Sequence, residues 1–251
     1  MANDVRATLN ALDRAKTFDA AQDALRAFAR ATELPVLAWS PDVSRPGFDA
    51  AMDSFMRRQG WPDEVMTLWW NRNVMLKSPL YIRCRFKMAP FLTVVASETA
   101  DIGGDAQKIE AAMIEMGLRM MLTVPVHLPR GQVSMITWAG DKSPEKAADI
   151  LTRHKTEFLA AAHYFTQAYR NEAGLGGISE ENLSSLTPRE WECLRLTAQG
   201  YREAELAELI NLSTTTVRFH LNNVMRKLGA TTRTQAVAIA AQLGLLGPIG
   251  S

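Results

Sequence analysis

Apolar positions recur along the chain with two periods, and the alternation between them predicts the elements. Leu9, Leu12, Leu25 and Phe28 fall at helical spacing among Ala, Arg and Asp, so residues 3–31 are expected as one or two amphipathic helices. Pro35 to Ser40 is short, apolar and bounded by Pro35 and Pro41, as suits a buried strand. Residues 46–72 are helical in period and rich in Met and Trp. Pro90 to Ala96, Met120 to Leu128 and Val133 to Ala139 read as strands, with Pro129, Arg130 and Gly131 as a hairpin turn. Gly103-Gly104 reads as a turn into a helix over 105–118. A long helix over 144–171 presents Ile150, Leu151, Phe158, Leu159 and Phe165 on one face. Strands bracketed by helices at both ends predict an α/β/α sandwich.

From Ala173 to Asn182 the chain turns glycine-rich and polar, which predicts a linker over 173–185 between domains 1–172 and 186–251. Beyond it everything is helical in character. Thr187 can cap a helix, Pro188 suits its first position, Glu190 completes a T-x-x-E capping box, and Gly200 ends it. A second helix is expected over Glu203 to Ile210. Ser213 then caps a third, Thr214 to Leu228, closed by Gly229. A fourth runs from about Thr234 to Leu243, with Thr232 and Gln235 as another capping box. Helix, short turn, helix is the arrangement that lets the second helix enter a major groove. The fold class is therefore α+β with two domains: an N-terminal α/β/α sandwich and a C-terminal all-α four-helix helix-turn-helix domain.

A length of 251 residues accommodates both. The net charge of +1 says little about nucleic acid, but its distribution says more. Glu190, Glu192, Glu203, Glu205 and Glu208 lie in the first two C-terminal helices, and from Leu209 to Ser251 there is no acidic residue. Arg218, Arg226, Lys227 and Arg233 are therefore expected to stand unopposed, as a footprint for phosphates rather than a merely solvated face. The two cysteines, Cys84 and Cys193, imply no disulfide framework and a reduced, cytoplasmic protein. Met1 to Asn10 contains Asp4 and Arg6 and lacks an apolar core, so no signal peptide is expected. No apolar run is long enough for a membrane span.

The C-terminal stretch resembles the LuxR-type helix-turn-helix over most of 186–246. The matching positions include Leu186, Thr187, Arg189, Glu190, Leu194, Ala198, Gly200, Glu205 and Ala207, then Ser213, Thr216, Val217, His220, Lys227, Leu228, Arg233 and Ala236, and finally Gly244-Leu245. Arg202 departs from the family's capping Ser. The resemblance implies a DNA-binding transcriptional regulator acting as a homodimer on double-stranded DNA. It places Arg218, Phe219 and Asn222 toward base edges, where Arg can read guanine, Asn adenine, and Phe a thymine methyl. It assigns phosphate contacts to Thr214, Thr216, Lys227 and Arg233. Val217, Leu221 and Leu228 are expected in the core, His220 as a packed histidine, and the Ala-rich last helix as a dimerisation element.

The N-terminal domain resembles the autoinducer-binding domain of quorum-sensing LuxR-type receptors. Trp61-Pro62, Val65, Trp69 and Ser78-Pro79 align without a gap to that family's central pattern of Tyr-Pro, Trp, Tyr and Asp-Pro. Both prolines are kept; the residues that bind a homoserine lactone's carbonyls and amide in the family are replaced by Trp61, Val65 and Ser78. Val65 cannot donate a hydrogen bond, and Ser78 lacks the charge of an Asp. Two alternatives follow: Trp39, Trp61, Val65, Trp69, Met75, Ser78 and Phe91 line a pocket for a small apolar or aromatic ligand, or the aromatic rings fill the pocket and no ligand binds.

His127, His154 and His163 are scattered, so no metal site is expected, and no glycine loop suggests a phosphate-bearing cofactor. Cys84 between Arg83 and Arg85 reads as structural, with oxidant sensing as the alternative. An enzyme would need a catalytic group that the sequence does not show, and a phospho-receiver would need an acidic cluster. The competing function is a protein-interaction regulator whose N-terminal domain docks a partner protein rather than a small molecule.

Overall fold

A computed structural model describes residues 2–95, 104–175 and 186–246. The expected strand end at Ala96, Gly103 of the turn before the helix, and the linker from Gly176 onward lie outside the described residues. The chain divides into two compact units, the first ending at Leu175.

The first unit runs α1 (Ala2–Asp13), α2 (Phe18–Ala31), β1 (Val36–Ser40), α3 (Ala50–Arg58), α4 (Asp63–Trp69), α5 (Arg72–Met75), α6 (Pro79–Phe86), β2 (Phe91–Val94), α7 (Gly104–Glu115), β3 (Met120–His127), β4 (Val133–Gly140) and α8 (Pro144–Glu172). The helical period over 46–72 belongs to two helices, because Gly60 takes φ +83° and Pro62 follows it. The four strands form one antiparallel sheet in the order β1-β4-β3-β2. A single 3-10 turn, Pro129–Gly131, closes the β3–β4 hairpin, with Gly131 at φ +68°.

Alternation along the strands sorts the sheet's two faces. Trp138 on β4 packs edge-on against Phe28 of α2 and Phe158 of α8. Its neighbour Met135 is three residues away and faces the opposite side, where Cys84 Sγ of α6 lies 3.9 Å from its sulfur. The register pairs Leu37 with Trp138, Trp39 with Ile136, and Ser40 with Met135. Leu37 and Trp39 thus face α2 and α8, whereas Ser40 faces α6. The Thr123–Thr137 cross-strand pair, hydroxyls 2.9 Å apart and fully buried, lies on the α6 side with Phe91 and Thr93. The sandwich therefore has α1, α2 and α8 in one layer and α6 over the other face, while α3 packs beside β1, its Phe55 ring 5.8 Å from Trp39 and 5.4 Å from Phe165.

The second unit is α9 (Pro188–Ala198), α10 (Glu203–Leu209), α11 (Thr214–Leu228) and α12 (Arg233–Gln242). At the start of α9, Thr187 Oγ1 accepts the Glu190 N–H while Glu190 Oε2 accepts the Thr187 N–H at 2.7 Å. Leu194, Val224, Leu228, Ala236 and Ala240 form one apolar cluster; Cys193, Leu206, Val217 and Leu221 belong to a second. At α12 the expected capping box is only half made. Thr232 Oγ1 accepts from Gln235 N, but Gln235 Oε1 reaches past Thr232 to the Thr231 N–H, 2.7 Å.

Candidate nucleic-acid interface and ligand pocket

The turn between α10 and α11 is built from two residues. Asn211 sits at φ +54°, a left-handed conformation that Asn tolerates better than most side chains. Ser213 Oγ then accepts the Thr216 N–H at 3.1 Å and caps α11. Val217, Leu221, Val224 and Leu228 turn inward. That leaves Thr214, Arg218, Asn222 and Arg226 at four-residue spacing on one exposed stripe, with Phe219 beside it at 62% exposure. An exposed Phe flanked by Thr, Arg and Asn side chains is not a packing face. It can touch base edges and methyl groups. Thr216 is half-buried and its hydroxyl lies 2.8 Å from Ser213 Oγ, within the cap. His220 is half-buried beside the Phe219 ring, 5.8 Å between centroids.

The expectation that the cations stand unopposed is corrected for Arg218, Lys227 and Arg233, whereas Arg226 donates to the neutral Asn223 Oδ1 at 3.4 Å. Acidic residues absent from the sequence after Glu208 reach α11 through packing, because α9 and α10 both lie against it. Arg218 donates from Nε and Nη2 to Glu203 Oε2 at 3.2 and 2.9 Å, and Arg233 pairs with Glu203 Oε1. Lys227 Nζ sits 2.6 Å from Glu190 Oε2; its side chain is 19% exposed and that of Glu190 only 4%. Lys227 is thereby a half-buried ion-pair partner, whereas Arg218 remains 62% exposed. At α10, Arg202 offers no side-chain cap, but Glu205 Oε2 accepts the Arg202 N–H at 2.7 Å.

In the first unit, Ser78 starts α6, Trp69 bonds to Tyr81 of α6, and Phe91 lies on the α6 face of the sheet, whereas Trp61, Val65 and Met75 are buried just before, within and after α4. Trp39 does not join them. Strand alternation turns it to the opposite face, where its ring lies 5.3 Å from Phe165 and 4.8 Å from Tyr169. The Trp61 and Trp69 rings pack edge-to-face at 5.4 Å, and both indole N–H groups are committed within the protein. Trp61 Nε1 donates to Leu37 O, a carbonyl of edge strand β1, at 2.8 Å; Trp69 Nε1 donates to Tyr81 Oη at 2.6 Å. Val65 is buried. Ser78 starts α6 without a side-chain cap bond. Arg83 covers the Phe91 ring at 4.4 Å and donates to Thr93 Oγ1 at 3.1 Å. Cys84 is buried, and that burial pushes its thiol up to about 12 against the opposing influence of Arg83. It is the neutral thiol at neutral pH.

A cavity of about 210 Å³ is lined by Ser40, Asp42, Met52, Trp69, Tyr81 and Tyr169 among others. Of the expected pocket residues only Trp69 reaches it. Tyr81 is fully buried, and its hydroxyl is engaged by Trp69 and Ser40. Asp42 Oδ1 accepts from Ser44 N at 2.9 Å, whereas its buried Oδ2 has no hydrogen-bond partner among the described residues. Sequence reasoning missed Ser40, Tyr81 and Glu203. Strand alternation set Ser40 opposite Trp39, but only the β1–β4 register shows which of the two faces α6. Tyr81 and Glu203 acquire their roles only from contacts distant in sequence.

Residues 17–169, more than half of the chain, match the autoinducer binding domain, and residues 184–240 match the bacterial regulatory proteins of the luxR family. The chain belongs to the LuxR family. It is 28% identical over 171 residues to the transcriptional activator protein VanR of Vibrio anguillarum, covering 65% of this chain and 67% of that one. It is 28% identical over 201 residues to the quorum sensing-dependent transcriptional regulator RpaR of Rhodopseudomonas palustris, covering 80% and 79%. The crystal structure of Escherichia coli SdiA shares the fold, with TM-score 0.62 at 21% identity over 97% of this chain and 98% of that one. SdiA in complex with octanoyl-rac-glycerol gives TM-score 0.60 at 19% identity over 96% and 95%. This family is one of transcriptional regulators, and among the described residues no helix is long and apolar enough to cross a membrane. No group of three or more His, Cys, Asp or Glu among them is placed to hold a metal ion.

Proposed function

We propose that this LuxR-family regulator binds a two-fold operator as a homodimer, in the cytoplasm. Residues 186–251 read DNA, 173–185 link the domains, and 1–172 sense and dimerise. The observation that carries this reading is the exposed stripe of α11, where Arg218 and Asn222 flank Phe219 while every apolar neighbour is turned inward. One such helix spans a few base pairs, so a second copy is needed to fill two half-sites. Arg218→Ala weakens binding to the preferred duplex and relaxes base choice; binding equal to the parent in a gel shift, across salt concentrations, would remove α11 from the groove. A monomer by light scattering at micromolar concentration, with and without DNA, would remove the dimer.

The N-terminal unit takes a small molecule with a hydroxyl-bearing head rather than a lactone. Support comes from the cavity beside Ser40 and Tyr81 and from the buried, unpartnered Asp42 Oδ2, which lacks a donor. SdiA is solved with octanoyl-rac-glycerol, so the fold admits an acyl compound whose head is not a lactone. Mass spectrometry of small molecules released from the purified protein tests this. A stoichiometric hydroxylated compound, lost in Tyr81→Phe with Ser40→Ala, is expected. A protein that purifies empty and gains no thermal stability from such compounds favours the aromatic-filled alternative.

A further inference from the structure

Glu203 is placed to do more than neutralise charge. It opens α10, yet its carboxylate spans two other elements, taking Arg218 of α11 on Oε2 and Arg233 of α12 on Oε1. Its side chain is 17% exposed, against 62% for Arg218 and 39% for Arg233. The acid is thus the sheltered centre and the two cations are the exposed arms. The contacts also have a direction. Arg218 uses Nε and Nη2, the side edge of its guanidinium. The end edge, Nη1 with the second hydrogen of Nη2, takes no part in either bond, on a side chain that is 62% exposed. That end edge presents the pair of parallel donors that guanine O6 and N7 accept.

We propose that Glu203 is the positioning residue that sets DNA specificity in this chain. This rests on the reading of α11 as the recognition helix. Holding the side edge fixes the long Arg218 side chain in one pose before DNA arrives, so less rotamer freedom is lost on reading a base. The same carboxylate opposes contacts of Arg218 and Arg233 with phosphates, because a phosphate must compete with a carboxylate already in place. A base contact made by the end edge meets no such competition. Through its hold on these two arginines Glu203 therefore lowers affinity for every duplex, and lowers it least for a duplex with guanine at the right position.

The test uses the full chain, a duplex that the parent selects from a random pool, and a random-sequence duplex of equal length. Binding is followed by fluorescence anisotropy from about 50 to 200 mM salt. Glu203→Gln is expected to tighten random-duplex binding and to steepen its log–log salt slope by about 0.9, one further phosphate neutralised. The ratio of selected to random affinity is expected to fall at least about fivefold, the loss of one oriented bidentate reader. Glu203→Ser repeats the measurement in case Gln leaves an amide unpaired. In an Arg218→Ala, Arg233→Ala background, Glu203→Gln is expected to change neither quantity. A purely structural Glu203 would weaken both duplexes in proportion, and that result overturns the inference. So does an unchanged ratio and slope in Glu203→Gln while Arg218→Ala still loses the selected site; the recognition-helix reading then survives. If the pool yields no enriched duplex, or Arg218→Ala binds like the parent, that reading falls and this inference with it.

Discussion

Lys227 Nζ lies 2.6 Å from Glu190 Oε2, which ties the last turn of α11 to the first turn of α9. Glu190 accepts the Thr187 N–H with the same oxygen. A carboxylate this buried keeps its charge only while its donors stay in place. The contact joins α11 to the cap of α9 beside the apolar cluster that Leu194, Val224 and Leu228 share. It also gives a lysine expected at a phosphate a second partner, the carboxylate that caps another helix.

Lys227→Met should therefore act on stability rather than on DNA. Leaving Glu190 buried and unpaired is expected to cost about 2–3 kcal/mol, below the value for a fully enclosed pair because Lys227 is partly exposed. Denaturant unfolding of the C-terminal unit, followed by hydrogen exchange over 186–246, measures it. The salt slope of DNA binding should stay within error of the parent; a slope flatter by about one would restore Lys227 to a phosphate.

Acid should weaken the same unit in a defined window. Burial pushes the Glu190 carboxyl upward, but Lys227 and the Thr187 N–H together hold it below the ordinary range. Arg218 foremost, with Arg233, does the same for Glu203. A carboxyl whose folded pKa is depressed contributes stability above its unfolded value, about 4.3, and that contribution is lost as pH falls through the folded value. The C-terminal unit is expected to lose stability progressively below about pH 4.5, with a shallower decline in Lys227→Met. Stability that rises on acidification below this point would contradict the pairings.

The strands, the glycine-bounded helices and the caps at Thr187 and Ser213 were legible because each depends on residues close in sequence. The pairing of charges was not. Glu203 precedes Arg218 by fifteen residues and Glu190 precedes Lys227 by thirty-seven, so three cations of an acid-free run in sequence met carboxylates once α9 and α10 packed on α11. Trp39 shows the same limit in the other unit. Its aromatic character suggested a pocket wall, but strand alternation and the β1–β4 register put it on the other face. The prolines at 62 and 79 flag the stretch to inspect, but that the indoles of Trp61 and Trp69 are already committed depends on Leu37 and Tyr81.

The turn before α11 can be tested alone. Asn211→Ala places a Cβ-bearing residue without a local polar partner at φ +54°, at an expected cost of about 1 kcal/mol; Asn211→Gly should be near neutral. Ser213→Ala removes the cap of α11, at about 1 kcal/mol. Thermal unfolding ranks the three. An Asn211→Ala more stable than the parent would mean that the left-handed turn is not required.

Ordinary acyl-homoserine lactones should bind poorly to this protein. A lactone head brings carbonyls that need donors and an amide that needs an acceptor. Trp61 holds an indole N–H at the first anchor position, but Leu37 O already accepts it. Val65 offers no donor at the second, and Ser78 offers no charge at the third. Burying the head unpaired costs about 1–3 kcal/mol for each unmet group, so burial of the acyl chain would have to supply the whole affinity. Calorimetry is expected to show no binding tighter than about 10 µM, on the scale where 1 µM corresponds to about 8 kcal/mol. Restoring the family's anchors should not rescue it. Val65 is 1% exposed, and an indole at that position overfills a packed layer by far more than one methylene. Val65→Trp with Ser78→Asp is therefore expected to lower the unfolding temperature without creating lactone binding. Should the double variant keep its stability and bind, the layer has room that the packing of Trp61 on Trp69 does not suggest. Sub-micromolar binding by the parent would refute the argument at its root, because groups other than the three anchors would then be meeting the head.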